Sequence, residues 1–214
     1  ELRHKGFHTP AALAKAGCKM VNIAIFASGN GSNFENIIQE INNGHVNNAV
    51  CKVLIIDKEH AYAKERAEKL HIPCVYVNPK AYAGKEPYEQ EILSILKEHQ
   101  VELIVLAGYM RFIGKVLLES FPRRIINLHP AYLPNFPGAH SIQDAYEAKV
   151  DFTGVTVHFV DEGVDTGEII HQEKITIDST WSLETLEEHV HALEYDIFPK
   201  VIKHVCKMIE SEEA

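Results

Sequence analysis

From Val21 onward, short uninterrupted apolar runs alternate with stretches whose apolar residues recur every three or four positions. Uninterrupted runs rich in Val and Ile suit strands buried on both faces, and three-to-four spacing is one stripe of a helix. The runs at 21–27, 49–57, 74–77, 103–107 and 125–128 predict parallel strands, and 33–43, 61–70 and 86–99 predict the helices between them. Pro73 and Pro79 bracket the third strand, where turn chemistry is needed. After Leu128 the texture changes to a loop carrying Pro130, Pro134 and Pro137, followed by a short helix. Two further runs, 153–160 and 168–177, read as strands that pair antiparallel across the intervening loop. The chain closes on Leu183, Leu186, Val190, Leu193, Ile197, Val201, Val205 and Met208, the stripe of a long amphipathic helix that Pro199 is expected to kink.

This order predicts an α/β fold. The expected architecture is a Rossmann-like open twisted sheet, mostly parallel with an antiparallel part near the C-terminus, and helices on both faces. Residues 1–19 are mixed in character, with only 11–16 suggesting a helical turn. They read as an extension or tag remnant before Met20, leaving 20–214 as a single domain, as suits a chain of 214 residues.

Charge and cysteine usage narrow the function. A formal net charge of −9 opposes the counterion-release attraction that nucleic acid offers to basic surfaces, so no nucleic-acid partner is expected. Cys18, Cys51, Cys74 and Cys206 are widely separated and form no C-x-x-C pair, so neither a zinc site nor a disulfide framework is predicted. No apolar run approaches the roughly 20 residues of a membrane span, and no leader pattern precedes the first strand. The expectation is a cytoplasmic protein with small-molecule partners, as a monomer or homodimer, with no membrane partner and no metal.

The first strand runs into Ser28-Gly29-Asn30-Gly31-Ser32-Asn33 and then a helix, a layout that aims backbone N–H groups and the positive helix end at an anion such as a phosphate. No Gly-Lys-Ser/Thr follows, and Phe34 occupies the place of the third small residue of a dinucleotide fingerprint. The competing reading is a tight strand–helix turn capped by Ser32 or Asn33. Asp57, ending the second strand, reads as a ribose ligand or, more simply, a turn residue. Further on, Asn127 and His129 fall on one side of the strand Ile126-Asn127-Leu128-His129, at the end where open α/β sheets place ligands. An amide donor beside an imidazole that can carry a proton is suited to stabilising an oxyanion, although a His-Pro pair after a strand also serves as a plain turn.

The loop Asp161-Glu162-Gly163-Val164-Asp165-Thr166-Gly167 lacks calcium-loop spacing. Left as a solvated turn it has no role. Folded over the sheet end, it brings Asp165 to His129, where a carboxylate favours the imidazolium and relays a proton through water. No Ser, Cys or Lys sits in a nucleophile motif, so direct attack by a substrate amine is more economical than an acyl-enzyme. His140 is a candidate for positioning Asp165. His158 reads as packed, His189, His191 and His204 as ordinary partly exposed residues, and Trp181 as the cover of the last helix's start. Leu133-Pro134 is expected to be cis in this proline-dense loop.

Four separated motifs in order resemble the phosphoribosylglycinamide formyltransferase family, within the folate-dependent formyltransferases. They are the Ser28–Asn33 loop, Gly108-Tyr109-Met110-Arg111, the block Asn127-Leu128-His129-Pro130 through Leu133-Pro134 to Pro137-Gly138, and Val157-His158-Phe159-Val160 leading to Asp165. The resemblance covers nearly all of 21–207. It implies formyl transfer from the co-substrate 10-formyltetrahydrofolate to the amine of glycinamide ribonucleotide in purine biosynthesis, without a metal. The family's catalytic residues fall on Asn127, His129 and Asp165, and its acceptor and phosphate ligands on Gly31, Ser32, Asn33 and Glu194. The folate pocket falls on Met110, Arg111, Phe112 and Ile113, on Asn127, and on Val160, Asp161, Glu162, Gly163, Val164 and Asp165, with Lys85 nearby. Lys85 stands where members often carry Arg, Tyr195 where His is frequent, and Ala131 and Tyr132 where Ser and Leu are commoner.

Two relatives share the Asn–His–Asp chemistry. One is a formyltetrahydrofolate deformylase, which usually carries a regulatory domain ahead of its catalytic part. The other is methionyl-tRNA formyltransferase, which has a basic C-terminal domain where this chain ends on Glu210-Ser211-Glu212-Glu213. A dinucleotide-binding regulator explains the glycine turn and Asp57 but leaves the trio without a purpose.

Overall fold

The computed structural model describes residues 19–212. The expected N-terminal extension, except Lys19, lies outside the described residues, and so does its helical turn. In chain order the elements are β1 (Val21–Ala27), α1 (Ser32–Asn42), β2 (Ala49–Ile56), α2 (Tyr62–Leu70), β3 (Cys74–Tyr76), a short 3-10 turn (Pro79–Ala81), α3 (Lys85–Glu98), β4 (Leu103–Leu106), α4 (Lys115–Ser120), β5 (Ile125–His129), α5 (Ser141–Glu147), β6 (Phe152–Phe159), β7 (Ile169–Thr176) and α6 (Leu183–Glu212). Within the described residues the predicted strands and helices are all present, and those predicted with bounds have ends shifted by at most one residue. Apart from the three-residue 3-10 turn, only α4, a six-residue helix, has no counterpart in the predicted pattern. Its length is too short for a periodicity to register.

One sheet carries all seven strands in the order β3-β2-β1-β4-β5-β6-β7. β1 to β5 are parallel, and β6 and β7 add antiparallel neighbours, Asn127 facing His158 and His129 facing Thr156 across the β5–β6 pair. Because side chains alternate across a strand, Ile23 and Ile25 pack on one face and Ala24 and Phe26 on the other. The first face is covered by α1, α2 and α6 through Phe34, Ile37, Ile38, Ala63, Ala67, Phe198 and Ile202. The second is covered by α3 and α4 through Ile92, Leu96 and Leu117. Each fully buried Ile or Phe contributes about 1.5–3 kcal/mol, so the sheet is held from both sides.

Helix α6 continues through Pro199 without interruption. Proline removes the donor that would bond the carbonyl of Tyr195 four residues earlier. Asn36 on α1 supplies a replacement, its Nδ2 donating to the Tyr195 carbonyl at 2.9 Å. The same contact docks α6 on α1 beside the cleft described below. Among the described residues, no helix is long and apolar enough to cross a membrane.

Candidate active site

The strand order reverses between β1 and β4, and at such a switch point the loops leaving the carboxyl ends of the two strands diverge and open a crevice. A cleft of about 470 Å³ lies there, lined by the loops after β1, β4 and β5 and by the β6–β7 loop. Ser28 couples two of these loops. Its N–H donates to the Gly108 carbonyl at 3.0 Å, and its Oγ accepts the Met110 N–H at 2.8 Å.

The acceptor end of the cleft is formed where β1 becomes α1. Gly31 sits at φ 75° and begins the helix with no side-chain cap, so the expected alternative of a turn capped by Ser32 or Asn33 is not what forms. A Cβ at Gly31 would lie 2.6 Å from the Ala63 Cβ, so packing as well as backbone conformation requires glycine. Asn33 instead spends its Nδ2 on Glu194 Oε2 at 2.8 Å, linking α1 to α6. Its buried Oδ1 has no hydrogen-bond partner among the described residues. The uncapped first turn leaves its amides available, and Gly31, Ser32 and Asn33 all line the cleft.

The reactive region stands at the end of β5. His129 is buried, and its Nε2 donates to the Phe136 carbonyl at 2.9 Å, because a carbonyl can only accept. That leaves Nδ1 facing Asp165 Oδ2 at 3.5 Å, an orientation that is complementary when Nδ1 carries a proton. Asp165 has the left-handed φ of 53° that Asp tolerates better than bulkier residues, and Oδ2 also accepts the Gly138 N–H at 2.9 Å. Burial pushes the Asp165 carboxyl up, but the His158 ring beside it, the Gly138 N–H and the nearby His129 ring outweigh it and hold the carboxyl below its ordinary value. The loop carrying Asp165 closes through Gly167, where a Cβ would run into the Phe159 carbonyl.

His158 is buried, as its strand position implies, yet its Nε2 faces the site, 3.3 Å from Asn127 Nδ2 and 3.7 Å from Asp165 Oδ1. Its Nδ1 donates to the Phe159 carbonyl at 2.8 Å, so Nε2 is the acceptor in the neutral ring. It therefore takes one N–H of Asn127 and leaves the other free. The strand pairing of Asn127 with His158 is the signal for this role, and it exists only once β6 is known to lie beside β5.

The remaining expectations divide clearly. Met110, Arg111, Phe112, Ile113, Val160, Asp161, Glu162, Gly163, Val164 and Glu194 all line the cleft. Met110 and Phe112 are about two-thirds exposed and present apolar surface at its mouth. The Tyr88 hydroxyl bonded to that of Tyr109 at 2.8 Å, and the buried Glu89 accepting the Gly114 N–H at 2.7 Å, fix this segment on α3. Lys85 does not line the cleft, because it begins α3 and its alkyl chain lies beside Gly114. His140 is exposed and absent from the lining, so the Gly138 N–H holds Asp165 where His140 was expected to do so. Asp57 is buried outside the lining, which Lys58 enters instead.

His191, read as an ordinary surface residue, lines the cleft with its Nδ1 3.2 Å from Glu194 Oε2, and that hydrogen bond raises its pKa. Its i,i+3 spacing from Glu194 is the signal that could have found it. His189 stacks on Trp181 with ring centroids 4.0 Å apart, and His204 is exposed. Leu133-Pro134 is cis, as expected. Among the described residues, no group of three or more His, Cys, Asp or Glu side chains is arranged to hold a metal ion.

The model of the formyl transferase family matches residues 21–202. The phosphoribosylglycinamide formyltransferase of Bacillus subtilis (strain 168) is 48% identical over 186 residues, covering 87% of this chain and 95% of that protein. The trifunctional purine biosynthetic protein adenosine-3 of Homo sapiens is 32% identical over 88% of this chain, a match that spans 18% of that longer protein. The crystal structure of phosphoribosylglycinamide formyltransferase from Bacillus halodurans superimposes with a TM-score of 0.83 at 45% identity, covering 86% of this chain and 94% of that one.

Proposed function

The chain belongs to the formyl transferase family, and on that premise we propose that it transfers the formyl group of 10-formyltetrahydrofolate to the amine of glycinamide ribonucleotide, a step of purine biosynthesis. The products are formylglycinamide ribonucleotide and tetrahydrofolate, and the catalytic unit is a single domain over 20–214. The observation that carries this reading is the convergence of Asn127, His129 and Asp165 in one cleft with an uncapped helix N-terminus at its other end.

The acceptor phosphate sits against Gly31, Ser32 and Asn33, where backbone N–H groups and the helix dipole favour a dianion. Glu194, already oriented by Asn33, takes a hydroxyl of the acceptor's ribose. The apolar walls from Met110, Phe112 and Val164 receive the flat folate ring, and the formyl group is thereby presented at the end of β5. The acceptor amine attacks the formyl carbon directly. Negative charge develops on the formyl oxygen, and the free N–H of Asn127 bonds it together with the His129 imidazolium, whose Nδ1–H is shared between that oxygen and the long contact to Asp165. Such preorganised donors are worth more in a cleft shielded from water, because they need no reorganisation as charge appears. Asp165 holds the imidazolium and, through water, accepts the proton that the amine sheds. Collapse breaks the bond to the folate nitrogen, which takes that proton back through the same water, and releases tetrahydrofolate.

The test is release of folate product from 10-formyltetrahydrofolate, with and without glycinamide ribonucleotide, in the wild type and in His129→Ala. The expected result is release that depends on the acceptor and is lost in the variant. Equal release without acceptor identifies a deformylase, and no release in any condition refutes the reading.

A further inference from the structure

A cation outside the cleft grips the loop at its acceptor end. Arg66, on the second turn of α2, does not line the cleft, and its side chain is one-fifth exposed. All three of its nitrogens are committed. Nε donates to the Asn30 carbonyl at 2.8 Å, Nη2 to the Asn30 side-chain oxygen, and Nη1 to Glu35 Oε2. The Tyr62 ring lies 4.8 Å from the guanidinium carbon and limits its movement. The neighbouring Ala63 adds a second grip, its N–H donating to the Gly29 carbonyl at 3.1 Å while its methyl group abuts Gly31.

Two consequences follow from peptide geometry and charge. The peptide between Asn30 and Gly31 is planar and trans, so its carbonyl and its N–H point in opposite directions. Holding the Asn30 carbonyl on Arg66 therefore turns the Gly31 N–H away from α2. Glu35 lies in the first turn of α1, at the helix end proposed to receive a phosphate. An unpaired carboxylate there repels a dianion and offsets the helix dipole, whereas a guanidinium bonded to it cancels most of that field.

We propose that Arg66 is the positioning residue of the acceptor loop, fixing the Asn30–Gly31 peptide and neutralising Glu35 so that the first turn of α1 takes the phosphate of the acceptor. The proposal rests on the reading of that loop as the phosphate site. Lysine cannot replace it, because an ammonium has no planar fork to reach both Asn30 oxygens and Glu35 at once.

The experiment measures KM for glycinamide ribonucleotide, KM for 10-formyltetrahydrofolate and inhibition by inorganic phosphate. The proteins are the wild type, Arg66→Ala, Arg66→Lys, Glu35→Gln and the Arg66→Ala/Glu35→Gln pair. Arg66→Ala is expected to raise the acceptor KM and weaken phosphate inhibition by about tenfold, with the folate KM held within about twofold. Arg66→Lys follows it in direction, and the double variant regains about two- to fivefold of the acceptor KM because the unpaired carboxylate is gone.

An acceptor KM and phosphate inhibition unchanged in Arg66→Ala overturns the proposal. So does a folate KM that rises by the same factor, which marks general structural damage. Should Arg66→Ala not fold, Arg66→Lys decides alone, since retained charge with a raised acceptor KM is the signature of the fork. If phosphate fails to compete with the acceptor in the wild type, the phosphate reading of the loop is what fails, and the proposal falls with it.

Discussion

Replacing Gly31 by alanine perturbs two things at once, and the structure separates them. The backbone stands at φ 75°, a left-handed conformation that costs an L-residue roughly 1–2 kcal/mol. The new methyl carbon would lie 2.6 Å from the Ala63 Cβ and 2.8 Å from its Cα, whereas carbon pairs sit best at about 3.5–4.0 Å. The loop and α2 must therefore separate by about 1 Å, and overpacking of that kind costs about 1–3 kcal/mol. Stability is expected to fall by about 2–5 kcal/mol in urea unfolding at unchanged m-value.

The moving segment carries Gly31, Ser32 and Asn33, so the acceptor KM should rise while the folate KM stays near its original value. Adding Ala63→Gly removes the collision and leaves the backbone term. Compared with Ala63→Gly alone, the double variant should retain only the roughly 1–2 kcal/mol conformational cost. A Gly31→Ala protein with stability within about 0.5 kcal/mol of the wild type and an unchanged acceptor KM would refute the reasoning.

Three further outcomes are expected. Ser32→Ala should raise the acceptor KM and leave the folate KM alone, and steady-state kinetics with each substrate varied will detect an unchanged acceptor KM that contradicts the phosphate assignment. Phe198→Ala, at a fully buried position against the sheet, should lower unfolding stability by about 3–5 kcal/mol; a loss of less than about 1 kcal/mol in urea titration would mean that the site refills. His191 gains Glu194 as a partner in the folded state and its value there is raised above 6.5. Its contribution to stability is thus full below 6.5 and is lost as pH rises through the raised folded value. The stability difference between wild type and His191→Gln, measured by urea unfolding across that window, should shrink with rising pH, and a difference that grows contradicts the pairing.

The hydrophobic pattern determined the strands and most helices, because a strand buried on both faces and a helix buried on one stripe leave different spacings in the sequence. It also determined that Asn127 and His129 share a side of β5, since strand alternation is a local property. The short α4 left no such spacing. Among residues whose roles depend on neighbours distant in sequence, Asp165 was legible as a partner of His129 once its loop was taken to fold over the sheet end, and the others only through the resemblance or not at all.

Tertiary structure decided the rest. His158 looked like core until the antiparallel docking of β6 set its Nε2 against Asn127 and Asp165. His140 was a candidate because of its place after Pro137-Gly138, but the left-handed turn at Asp165 gave that task to a backbone N–H, which no residue type reveals. Pro199 was expected to bend α6, yet whether its orphaned carbonyl finds a partner depends on Asn36, 159 residues away from Tyr195. Arg66 likewise sits on an unremarkable helical surface until the loop after β1 folds against it. Periodicity records which face of an element is buried. It does not record which polar groups meet when elements pack, because those meetings depend on positions tens of residues apart.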